Sequence, residues 1–239
     1  MDNERKRQTF PWLQVAGIIV VVFVVGLIIL PALIRPSVSG WRRPAEQNYL
    51  KQLGIVFKMY SGENDNMFPP VAPYPDVYMF NIQSVYPEYL SDLSILASPY
   101  LPDAGKVAEE MNTLDTQRPT DWEAITRLAA KSFSYTGWVV HDASEMEQLI
   151  SARRGLDSSQ LDEDIEFNGK KFHRLKEGVE DHFITGTIDP NSSAKAQSLI
   201  PVMIGNQTSS EQKDRRNVLF MDGHVESRKD FSKIPAIIN

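Results

Sequence analysis

Hydrophobic residues run without a formal charge from Leu13 to Ile34, LQVAGIIVVVFVVGLIILPALI, and only beyond that stretch does the chain break into shorter periodic segments. As a helix rising about 1.5 Å per residue, the run matches the roughly 30 Å hydrocarbon core of a bilayer. Val and Ile crowd every face and leave no polar stripe, so a buried core helix fits poorly. A secretory signal has a shorter apolar region of about 7–15 residues and a small-x-small cleavage site, whereas this run ends in Pro-Ala-Leu-Ile-Arg-Pro. The pattern predicts a retained single-pass transmembrane anchor over 13–34, behind a cytoplasmic tail at 1–12.

Pro31, Pro36, Gly40 and Pro44 then predict a kinked linker over 35–44, because each Pro removes a donor and clashes with the preceding turn. Beyond Pro44, Leu50, Leu53, Phe57 and Tyr60 recur at helical spacing, with Tyr49 and Val56 beside them. They predict an amphipathic helix ended by Ser61 and Gly62, whose apolar face is the spine for a sheet. Tyr86 to Leu101 reads as a packed loop with a short helix, and a further helix is expected around Val107 to Leu114. Thr120 and Glu123 form a capping box behind Pro119 and open a helix through Ala130. Phe133 to Val140 reads as a strand, and Asp142 or Ser144 caps the next helix, with Met146, Leu149 and Ile150 buried and Gly155 at its end.

Two hairpins follow. Asn168-Gly169 suits a type I′ turn that sets Ile165 opposite Phe172 and Glu166 opposite Lys171. Asp222-Gly223 suits the same turn, setting Phe220 opposite Val225 and Met221 opposite His224. Phe183 to Ile188 and Leu199 to Ile204 supply two more strands. The sum is an α+β domain over 45–239, an amphipathic helix on a mostly antiparallel sheet with inserted helices.

Charge separates the two parts. The first 43 residues hold six of the 25 Lys/Arg and two of the 31 Asp/Glu, which leaves 19 basic against 29 acidic residues in the remainder, a net of −10. Such a domain repels nucleic acid and anionic lipid. Basic residues stand on both sides of the span, three before and three after. A dozen-residue tail is readily left inside while a large domain translocates largely regardless of charge, so the domain is expected outside the cytoplasm. With no Cys, disulfides, thiolate metal sites and thiol nucleophiles are absent.

Candidate chemistry is sparse. His141, His173, His182 and His224 are the only histidines, and no two stand at a ligand spacing. Zinc could be held only by tertiary convergence, against ordinary polar or cross-strand roles; His224, beside a turn, is the leading functional candidate, against simple packing on Met221. The acidic residues Asp157, Asp162, Glu163, Asp164 and Glu166 read first as a solvated face and second as a calcium site, without the alternation and central Gly of an EF-hand loop. Glu63 to Asn66 reads first as a turn and second as a cation site. No nucleophile elbow, Walker loop or dinucleotide fingerprint occurs, and no cofactor or metal is expected.

The order of anchor, Leu30 to Leu33 exit, Arg42-Arg43 pair, Leu50 to Tyr60 helix, Phe68 to Pro70, Tyr86 to Leu90 and Asn217 to Glu226 resembles bacterial prepilin-type proteins with a C-terminal H-x9-DG motif. These are relatives of type IV pilins and type II secretion pseudopilins. The resemblance implies a pilin-like fold and a structural or assembly role at the bacterial cytoplasmic membrane, with secretion or pilus-like components and lipid as partners and no catalysis. The chain departs from the family where processing occurs: aligning on Phe10 puts Thr9 in place of the cleavage-site Gly and Gln14 in place of the mature Glu. Glu46 and Ser98 stand where family members often carry Cys, and Gln212 stands at the motif's His. Two other classes stay open: an anchored accessory or binding subunit of a larger membrane complex, and an enzyme.

Overall fold

The computed structural model describes residues 16, 17, 20, 23, 25, 38–184, 190–206 and 215–229. The chain divides into two compact units, Met1–Trp41 and Arg42–Asn239. In the first, Ala16, Gly17, Val20, Phe23 and Val25 are helical and exposed, Phe23 by 67%. No helix among the described residues is long and apolar enough to cross a membrane, and most of the run from Leu13 to Ile34 lies outside them.

Helix α1 spans Val38–Glu63 without interruption. Gly40 and Pro44, read above as breaks, lie inside it; the missing Pro44 N–H costs one hydrogen bond, and the helix continues past it. Leu50, Leu53 and Phe57 are fully buried and Val56 nearly so, as their spacing predicts. They face a four-stranded antiparallel sheet made of β1 (Phe133–Tyr135), β4 (Pro201–Gly205), β5 (Arg216–Phe220) and β6 (Val225–Arg228), in the order β1-β4-β5-β6. A Cβ on the buried Gly54 would lie 3.0 Å from Leu219 of β5, and the Phe57 ring stands 5.5 Å from that of Tyr135 in β1. The fold is α+β with an antiparallel sheet, as expected.

The inserted helices are α2 (Ala104–Thr116), α3 (Trp122–Ala130), α4 (Ala143–Arg153) and α5 (Pro190–Gln197). α3 is capped by Asp121, whose side chain accepts from Ala124 N at 2.9 Å, and not by Thr120. The Thr120 hydroxyl turns back to the Gln117 carbonyl, and Glu123 pairs with Arg127. α4 takes Asp142, the first of its two candidate caps, through a 2.9 Å bond from Glu145 N. Two short 3-10 turns, Ile82–Ser84 and Leu93–Leu96, pack the segment before α2.

The expected strand over Phe133 to Val140 is broken at Gly137, whose φ is +73°. Its first part pairs with β4, whereas Trp138 bridges Arg174 and Val139 N donates to His173 O. β2 (Ile165–Phe167) and β3 (Lys170–Phe172) form the hairpin in the predicted register, with Asn168 at φ +51° and Gly169 at +76°. Positive φ at both central residues is what a type I′ turn requires. Phe183 follows a 3-10 turn at Val179–His182 and is not in a strand, and residues 185–188 lie outside the described ones.

Candidate functional site

An acid occupies the apolar stripe of helix α1. Glu46 stands one turn before Leu50, in line with Leu53 and Phe57, and is 0% exposed. Its Oε1 accepts from Ser98 Oγ at 2.5 Å and its Oε2 from Asn217 Nδ2 at 2.5 Å. Asn217 on β5 faces Ser227 on β6, and its Oδ1 accepts from Ser227 Oγ at 2.6 Å and Gln47 Nε2 at 3.3 Å. Ser98 follows the second 3-10 turn, and its N–H donates to Ser132 Oγ at 2.8 Å, just before β1. Gly205 closes β4 against the carboxylate: a Cβ there would come within 3.0 Å of Oε2. Six segments of the chain thus meet around one carboxyl. Burial pushes it up to about 7, against the opposing pull of the bonds from Ser98 and Asn217. Chemically the group can hold or release one proton; being fully covered, it does so without touching a substrate.

The Asp222-Gly223 turn sits beside the same helix. Of these two residues only Gly223 has positive φ, at +90°, so the turn is not type I′. Leu219 pairs with Val225, Gly223 N donates to Phe220 O, and Phe220 N donates to His224 O. Met221, Asp222 and Gly223 therefore make a three-residue loop with Gly at the left-handed position, and the predicted register is off by one residue. His224 lies flat on Phe220, with ring centroids 4.5 Å apart, instead of packing on Met221, and its Nδ1 is 2.6 Å from Asp222 Oδ1. With Lys51, Gly54, Ile55, Lys58 and Met59 of α1, the turn lines a shallow depression of about 500 Å³. Ile55 and Met59 are 61% and 51% exposed there.

The other three histidines do converge. His173 stacks on His182 at 4.5 Å, and His141 meets the edge of Phe183 at 4.9 Å. His141 Nδ1 is 3.0 Å from Glu145 and His173 Nδ1 is 3.0 Å from Asp164, which turns each Nδ1 toward a carboxylate. No group of three metal-ligating side chains occurs among the described residues. All five residues of the acidic run are exposed, as a solvated face requires; Asp164 also binds Arg174 N and Lys171, and Asp162 lies 3.6 Å from Arg174. Glu63 ends α1 and Asn64 to Asn66 form a turn, with Asp65 and Asn66 at positive φ.

Thr9, Phe10 and Gln14 lie outside the described residues. In the sequence Glu46 and Ser98 stand out only as departures from a family pattern, and nothing there marks Gly205, Asn217 or Ser227 as their neighbours. The legible signal was Glu46 itself, an acid at the position where the helical period calls for an apolar residue. No family model, no curated protein and no solved structure matches the chain.

Proposed function

We propose that the protein is a membrane-anchored, pseudopilin-like structural or assembly component of the bacterial cell envelope. It is held by the span at 13–34, with its acidic α+β domain outside the cytoplasm. The observation that carries this reading is the Glu46–Ser98 contact. The two positions at which the resembled family often has Cys are 52 residues apart in sequence, and here their side chains meet at 2.5 Å. The helix-on-sheet arrangement around α1 supports it further. So do the exposed apolar side chains of Val20, Phe23 and Val25, for which lipid is the natural solvent.

Thr9 in place of Gly and the tertiary amide between Phe10 and Pro11 suit a chain that keeps its N-terminus. Gln14 has no charge with which to attract a neighbour's ammonium. The protein then acts as a minor or accessory component and not as the main subunit of a long filament. Affinity purification from a detergent extract, followed by mass spectrometry of the band on native electrophoresis, tests this reading. Secretion or pilus-like assembly components are expected. Co-purification with an unrelated envelope complex would instead make the chain an anchored accessory subunit.

A further inference from the structure

Among the described side chains of helix α1, Glu46 is the first that is buried: Arg42 and Ala45 are half-buried and Pro44 is exposed. From Leu50 onward the helix is held by apolar burial; before that turn Glu46 is the fully buried side chain among the described residues, with Gln47 bonding Asn217 beside it. Pro44, the third residue of the second unit, lacks the N–H that would donate to the preceding turn of the helix. Among the described residues, the side-chain hydrogen bonds to Glu46 come from neutral donors. Charged residues on the elements around it include Arg42, Arg43, Lys51, Asp92, Lys131, Arg215, Arg216, Glu226 and Arg228, and neither bond comes from any of them.

We propose that Glu46 is a proton-operated latch that fastens the start of helix α1 to the sheet. In the closed form the carboxyl is neutral, and Ser98 Oγ and Asn217 Nδ2 still donate to its two oxygens at 2.5 Å. Opening exposes the carboxyl to water, where it releases its proton. Closing takes one proton up from solvent, and no other bond is made or broken. At high pH closing would bury a bare carboxylate among serines, an asparagine and the Gly205 backbone, which is unfavourable without a cation. Because burial places the group near neutrality, a drop of one or two pH units outside the cell is enough to shift the latch toward closed. Asn217 and Gly205 fit this role: the amide supplies a donor that suits either charge state, and the glycine leaves room for the carboxyl over the end of β4.

The test uses the full-length protein in detergent micelles and hydrogen exchange read by mass spectrometry over the first turns of α1, corrected for intrinsic rates. One proton linked to closure predicts that protection there falls about tenfold between pH 6 and pH 8. Glu46→Gln, which is neutral at every pH and keeps a donor and an acceptor for the same partners, should show no such fall. An equal pH dependence in both proteins, or none in the natural one, overturns the proposal. If the variant does not fold, the carboxyl carbon of Glu46 followed by NMR in the natural protein decides: titration near neutrality supports the latch, and titration in the ordinary carboxylate range overturns it.

Discussion

Arg153 Nη2 donates to the Val77 carbonyl at 2.7 Å from a side chain that is 0% exposed and, among the described residues, hydrogen-bonds no carboxylate. The same nitrogen reaches the carbonyls of Ala72 and Tyr74 at 3.4 Å, and the guanidinium lies over the Tyr78 ring at 4.6 Å. A second buried arginine, Arg174, donates to the Gly137 and Pro69 carbonyls. Between them they satisfy the backbone of the proline-rich loop from Pro69 to Val77, which has few ladder partners of its own. Burial pushes Arg153 down to about 10, so its charge is held at a cost.

Arg153→Ala should therefore destabilise the protein by about 3–4 kcal/mol, through a cavity and stranded carbonyls. Arg153→Met keeps much of the stem and removes the desolvated charge, and should cost roughly half as much. Thermal melting of the two variants checks the order. Equal losses would mean that the carbonyl contacts, and not the packing, carry the energy.

The glycines give a ranked prediction. Gly169 and Gly223 have φ of +76° and +90°, and a Cβ at either would meet nothing. Gly137 has φ +73°, and a Cβ there would lie 2.4 Å from Val71 Cγ1 and 2.9 Å from Arg174 Nη1. Alanine at Gly169 or Gly223 should cost about 1–2 kcal/mol of backbone strain alone. Gly137→Ala should cost at least about 3 kcal/mol, since steric overlap adds to strain. Gly223→Val should lie within the strain range, about 1–3 kcal/mol. Comparable melting temperatures for Gly137→Ala and Gly223→Ala would contradict the geometry around Gly137.

Acidity should shape stability in two opposed ways. Glu46 is raised from 4.5 to about 7, so the folded state binds a proton that the unfolded state has released. Its stabilisation is complete below pH 4.5 and is lost as pH rises through about 7, a loss on the order of 3 kcal/mol at about 1.4 kcal/mol per unit. Asp164 is lowered from 3.8: burial pushes it up, but Arg174 N–H, Lys171 and His173 outweigh that. Its stabilisation is present above pH 3.8 and is lost as pH falls below it. Chemical denaturation across this range should place the stability maximum on the acid side of neutrality. A maximum above pH 7 would contradict the assignment of Glu46.

The sequence made the repeating features readable and hid those set by tertiary competition. Leu50, Leu53 and Phe57 announced the spine by spacing, and Asn168-Gly169 fixed its hairpin because that pair tolerates positive φ at both positions. Asp222-Gly223 carries nearly the same signature, yet a Gly at the left-handed position also suits a three-residue loop, and pairing of Leu219 with Val225 chose the longer one. Thr120 and Asp121 are both good caps one residue apart, and the Gln117 carbonyl drew the threonine away. The partners of Glu46 were beyond reach for another reason: Ser98, Gly205, Asn217 and Ser227 come together only once the sheet has formed.

The central claim, a domain carried outside the cytoplasm on a single anchor, is tested most directly by adding protease to intact spheroplasts that contain the full-length chain. Digestion of the domain without lysis, with the 1–12 tail protected, is the predicted result. Protection of the domain until the spheroplasts are lysed would reverse the topology and contradict the account.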